Sequence, residues 1–184
     1  SRAAAEPAIH AEQVARYGYL LLSTHGVIKP DMPDFSHVAL SCPEAMGVSA
    51  KDASAAEDGR LMLPEAFGLN LNAGMVTLSA CRTAEGDFRS GEGILGLTAA
   101  MFVSGARAVT ASVWSVSDEA TASLIGRYHT LLAAGSAPAS ALQEAQMEVL
   151  ATAREAAGRE PPGEGAVRAE PFYWAPFVLQ GQWR

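Results

Sequence analysis

Two residues of this sequence combine reactivity with a placement that would use it. His25 and Cys81 stand 56 residues apart, each just past a short apolar run that reads as a β-strand, residues 17–22 and 75–78. In open parallel sheets, ligands gather beyond the carboxyl ends of the strands. A thiol and an imidazole at neighbouring strand ends make a cysteine nucleophile with a general acid or base. Gly26, directly after His25, presents no side chain to a substrate, and its backbone N–H, together with that of Cys81, can face a developing oxyanion. Taken alone, a cysteine at a strand end is also a small buried apolar residue, and a histidine is commonly a hydrogen-bonded structural one.

The elements that must hold these residues follow from the hydrophobic pattern. Residues 17–22 are continuous in apolar residues, as buried parallel strands are, and residues 75–78 form the next strand. Residues 108–114 and 177–179 supply further strands, and residues 37–40 a short one. Residues 94–103 are apolar nearly all round, which predicts a deeply buried helix. Leu124, Tyr128, Leu131 and Leu132 share one face of an amphipathic helix, and Leu142, Ala145, Val149, Leu150 and Ala153 share a face of another. Short helices are expected over residues 7–16 and 63–71. Residues 43–59, 85–93 and 158–170 read as surface loops, rich in Ala, Ser, Asp, Gly or Pro without periodicity.

Strands alternating with helices predict an α/β fold with a mostly parallel sheet flanked by helices. No repeat of solenoid length is present, so residues 1–184 read as one domain. A strand so near the start has no preceding unit beside it, and the sheet is expected to lack strands that belong upstream.

Composition narrows the classes of partner. Hydrophobic residues make up 49% and charged residues 18%, enough for a core and too little charge for disorder. Lys and Arg number 13 against 20 Asp and Glu, and the net charge of -7 argues against a nucleic-acid backbone as partner. No apolar run approaches the roughly 18 residues of a membrane span. The opening residues lack the long apolar stretch of a secretory signal. A soluble, cytoplasmic protein with no membrane partner is expected. Two cysteines, Cys42 and Cys81, are too few for a disulfide framework or a Cys-rich zinc site. His10 and His37 fit no metal-ligand spacing, so no metal is expected.

Six segments carry a resemblance. Residues 23–26 (STHG), 78–86 (LSACRTAEG), 91–97 (GEGILGL), 105–109 (GARAV), 112–121 (SVWSVSDEAT) and 173–177 (YWAPF) resemble, in order, the CHAT family. That family belongs to the caspase-like cysteine peptidases, alongside separases, gingipains and clostripain. Six motifs in register are far more specific than any one of them. The resemblance implies a caspase-like α/β fold, His25 and Cys81 as a peptidase dyad, Gly26 and Cys81 as oxyanion-hole donors, a protein or peptide substrate, and no cofactor. The caspase signature puts its His about 50 residues before the Cys, compatible with the spacing here.

The sequence departs from that signature at Ser79, where caspases carry Gln, and at Thr83, where they carry Gly. Those positions lie near the substrate in caspases, so a preference for Asp does not carry over, while Ser79 stays a candidate substrate contact. Caspase-like domains also have strands before the one ending in His, and this chain begins too late to contain them. It is therefore read as the C-terminal catalytic portion: a processed fragment, a segment cut for expression, or one part of a two-chain domain. CHAT domains often follow tetratricopeptide-type repeats or other sensor regions. The expected partner is thus an upstream part of the same catalytic domain or a regulatory repeat domain.

Asp118 follows Cys81 by 37 residues. In separase-like relatives an Asp in a similar Trp-x-Val-x-Asp setting is associated with a basic residue before the scissile bond, where a carboxylate would pair with Arg or Lys. Ser115 and Asp118 also have capping-box spacing at a helix start, and the two roles do not exclude each other. Trp114 either lines the substrate cleft or belongs to the core. Cys42 is a rival nucleophile outside the family's cysteine motif, and His129 reads as a partly exposed helix residue. The function expected from all of this is a cysteine endopeptidase regulated by an upstream sensor or by processing; the alternative is a catalytically silent caspase-like interaction module.

Overall fold

The computed structural model describes residues 14–27, 29, 32–40, 59–79, 92–114, 118–157 and 169–182. In chain order the elements are β1 (Tyr19–Ser23), β2 (Gly26–Val27), a 3-10 turn (Pro33–Phe35), β3 (His37–Ala39), β4 (Arg60–Met62), α1 (Leu63–Phe67), β5 (Met75–Ser79), α2 (Glu92–Val103), β6 (Ala108–Ser112), α3 (Asp118–Ala133), α4 (Pro138–Ala157), α5 (Pro171–Trp174) and β7 (Phe177–Gly181). The strands form a sheet of order β1-β5-β6-β7 and a small sheet of order β2-β3-β4. The fold is α/β, a mostly parallel sheet with flanking helices, as the sequence predicts. The chain divides into two compact units, Ser1–Val109 and Thr110–Arg184, with the division inside β6.

In the first unit β1 runs parallel to β5, in register from Tyr19 beside Met75 to Ser23 beside Ser79. The pair is entered through Gly18, whose carbonyl accepts from the N–H groups of Gly74 and Met75. All five residues of β5 are buried, the polar Thr77 and Ser79 among them. The small sheet is antiparallel, with Val38 of β3 fully buried at its centre. β4 passes directly into α1, where the Glu65 carboxylate accepts the Met62 N–H at 2.8 Å and satisfies one donor of the first turn. α2 packs close to α1, leaving 3.4 Å between a Cβ placed at Gly96 and Leu63. After α2 the chain turns at Gly105, with φ +109°, and a Cβ there would lie 2.2 Å from the Leu71 carbonyl oxygen. Only glycine tolerates both demands.

The second unit is organised by α3 and α4. α3 buries Ala120, Leu124, Ile125, Tyr128, Leu131 and Leu132, and α4 buries Ala141, Leu142, Ala145, Val149, Leu150 and Ala153. These are the apolar faces that the i, i+4 spacing marks out. Arg127 bridges from α3 to Glu144 and Glu148 of α4 at 2.7 Å each, on a solvent-exposed face where such pairs contribute little. Below them Tyr128 Oη meets Thr110 Oγ1 at 2.9 Å in full burial. The C-terminal segment is tied back by Val113 N–H to the Pro176 carbonyl and by Gln146 Nε2 to the Phe177 carbonyl.

Several expectations need correction. β1 starts at Tyr19 rather than Tyr17, because the Tyr17 N–H closes a turn on the Val14 carbonyl and Gly18 bends the chain before the strand begins. β6 stops at Ser112, and Val113 and Trp114 lie in a bend. The helix expected to Leu71 ends at Phe67, where Gly68 caps it. α2 is less enclosed than its composition implies, since Val103 at its last turn is 71% exposed. The strand at His37 exists, but as the centre of an antiparallel sheet whose partners β2 and β4 leave no periodic signal. The predicted loops over 43–59, 85–93 and 158–170, and the helix over 7–16, fall almost wholly outside the described residues.

Candidate active site

His25 occupies the short step between the two sheets of the first unit, two residues past the end of β1 and one before β2. Its side chain is exposed, while its backbone is held by β3: the Ala39 N–H donates to the His25 carbonyl at 2.8 Å. The adjacent Thr24 hydroxyl donates to the Ala39 carbonyl. The Ala39 N–H to His25 carbonyl bond is one of the two bonds of a hydrogen-bonded pair, and the alternation of an antiparallel ladder then makes Gly26 and Val38 a non-bonded pair. The Gly26 N–H is thereby turned away from β3. Gly26 itself is buried.

Ser79 ends β5 in register with Ser23 of β1. Because the strands are parallel, the two carboxyl ends open at the same edge of the sheet, and the chain leads from one towards His25 and from the other towards Cys81. Ser79 is 5% exposed, and its Oγ has no hydrogen-bond partner among the described residues. Such an atom is uncommon in a folded protein. Cys81 and the rival Cys42 lie outside the described residues, as do Ser115 and His10.

Two further candidates belong to the second unit. Asp118 is the exposed first residue of α3, a position where a carboxylate is favoured by the helix dipole. Trp114 is half-buried; its Nε1 donates to the Phe172 carbonyl at 2.9 Å and its own carbonyl accepts from Ser112 Oγ. The first of these bonds gives the indole a structural task within its unit. His37, unassigned by motif, pairs its Nδ1 with the Phe35 carbonyl at 3.0 Å. His129 is half-buried on α3, and burial pushes its pKa below the ordinary histidine value. Among the described residues no cluster of three or more His, Cys, Asp or Glu side chains forms a metal site, and no described helix is long and apolar enough to cross a membrane.

The sequence pointed to His25, Gly26 and Ser79 but not to the role of Ala39, whose contribution is made entirely by its backbone. The only hint lay in the hydroxyl residue immediately before His-Gly.

A mostly parallel α/β sheet flanked by helices is consistent with the fold of the caspase-like cysteine peptidases. The family model of the CHAT domain matches residues 1–182, and the chain belongs to that family, which is related to these peptidases. No curated protein matches the chain.

Proposed function

We propose that the chain is a cysteine endopeptidase in which Cys81 and His25 form the catalytic dyad. The observation that carries this is the register of β1 and β5: Ser23 lies beside Ser79, His25 is two residues beyond the one, and Cys81 is two residues beyond the other. Two residues of chain span at most about 7 Å, so this register supports a dyad at that edge of the sheet. The Cys81 sulfur attacks the peptide carbonyl, forming a C–S bond. The N–H groups of Gly26 and Cys81 stabilise the oxyanion, and a Gly26 N–H not engaged by β3 supports its part. His25 passes the thiol proton to the leaving amine as the C–N bond breaks, then activates water to hydrolyse the thioester. Asp118 supplies the preference for a basic side chain, with Ser79 and Trp114 as further substrate contacts. No metal or organic cofactor is required by this chemistry.

The same reading includes a regulatory partner. β1 ends the described sheet, and Tyr19 and Leu21 on it remain exposed, which supports a further strand from an upstream part of the catalytic domain seated there. The test is cleavage of a diverse peptide library by the domain, alone and joined to an upstream segment of the kind proposed. Wild type is expected to cut after Arg or Lys, Cys81→Ala and His25→Ala to lose cutting by at least about a hundredfold, and Asp118→Ala to lose only the basic preference. Identical profiles for wild type and Cys81→Ala would remove Cys81 as nucleophile. Silence of every form with the upstream segment present would favour the non-catalytic interaction module.

A further inference from the structure

We infer that Thr24 is a positioning residue for His25, holding the imidazole on station through a two-bond clamp to Ala39. This rests on the dyad reading and deepens it. Between Ser23 and Gly26 the chain leaves the parallel sheet and joins the antiparallel one. A residue in such a step has neither ladder to fix it. Two bonds to one residue of β3 replace the ladder: Ala39 N–H to the His25 carbonyl, and Thr24 Oγ1 to the Ala39 carbonyl. In a regular hydrogen-bonded pair the second bond would come from the backbone N–H of the facing residue; here a side-chain hydroxyl one position earlier makes it.

The anchor is firm. Ala39 ends the central strand of the small sheet, next to Val38, which is completely buried. Leu40, the next residue, donates its N–H to the Gly59 carbonyl at 2.6 Å. His25 thus has a backbone tied to the strand that buries Val38 and an exposed side chain, as a proton-transfer group needs. Without the Thr24 hydroxyl one bond would remain, and the segment could pivot about it. Displacing a catalytic group by about 1 Å can lower a rate by about a hundredfold, so the hydroxyl matters beyond its contribution to stability.

The experiment measures alkylation of Cys81 by iodoacetamide at neutral pH, on the full chain in a Cys42→Ser background so that one thiol reports. His25→Ala is expected to slow the reaction by about tenfold or more, since an adjacent imidazole promotes the thiolate. Thr24→Val is expected to slow it by about three- to tenfold, and Thr24→Ser to stay within about twofold of wild type. In the His25→Ala background Thr24→Val is expected to add nothing, because a residue acting through another shows no effect once that other is gone. Should the valine form fail to fold, Thr24→Ala is compared with Thr24→Ser by the same cycle. A wild-type rate in the valine or alanine form while His25→Ala is slow overturns the role of Thr24 and leaves the dyad standing. An equal fractional loss with and without His25 also overturns it, as a merely structural effect. No change in His25→Ala itself overturns the dyad and the clamp together.

Discussion

β1 and β5 lie side by side in register and are written in the same kind of residues, YLLLS against MVTLS. Their surroundings nonetheless differ. All of β5 is buried, whereas along β1 Tyr19 is 56% and Leu21 42% exposed, with only Leu22 buried. An apolar run specifies a strand, but the position of that strand in the sheet decides how much of it is enclosed. Among the described residues β5 has a neighbour on each side and β1 has one. An edge strand presents backbone donors and acceptors that a further strand can use, so the contrast bears on regulation as well as stability.

The largest expected effect comes from a pair of register partners. Met75→Ala should cost about 2–5 kcal/mol of unfolding free energy, as buried large-to-small changes do. Tyr19→Ala, directly beside it, should cost under about 1 kcal/mol, because its ring already meets water. Denaturant unfolding of the two variants measures both. Equal losses would mean that the exposed face of β1 is covered in solution, as an additional strand would cover it.

The contrast between adjacent residues recurs inside α3. Tyr128 is wholly buried with its hydroxyl against Thr110, while His129 beside it is half-buried and edge-on to the Tyr128 ring at 5.5 Å. Burial disfavours the charged imidazole, so the folded pKa lies below the ordinary value of 6.5. As pH falls through 6.5 the unfolded chain takes up a proton that the folded chain refuses, and stability falls. The decline continues until the folded pKa is passed and then levels off. His129→Gln should therefore show a smaller drop in melting temperature between about pH 7 and pH 5 than wild type. Parallel curves would show that the ring is better solvated than its burial implies.

What the sequence made legible follows the strength of its physical signals. β5, β6 and α4 declare themselves through apolar runs or i, i+4 spacing, each long enough to carry a period. β2, with two residues, and β4, with three, are too short to show one, and they form only because β3 lies between them. The exposure of Val103 was hidden because an Ala- and Gly-rich helix has no polar face to betray which side meets water. At the site, His25 was legible from residue type and strand end. The clamp from Ala39 was not, since a backbone hydrogen bond is made equally by almost any residue.

The smallest expected effect is also the one closest to the chemistry. Ser23 and Ser79 are register partners at the open end of the sheet, the first exposed and the second buried without a partner for its hydroxyl among the described residues. An unsatisfied buried hydroxyl costs about 1–3 kcal/mol, so Ser79→Ala should leave stability unchanged or raise it by up to about 1 kcal/mol. Ser23→Ala should move it by less than about 0.5 kcal/mol in either direction. If the Ser79 hydroxyl finds its partner in a bound peptide, Ser79→Ala will raise KM severalfold with kcat held, the mark of binding shared by ground and transition states. A loss of stability above about 1 kcal/mol would instead show that the hydroxyl is already bonded in the free protein. Ser79 would then be a structural residue at the end of β5, and the difference between the strands would be one of packing alone.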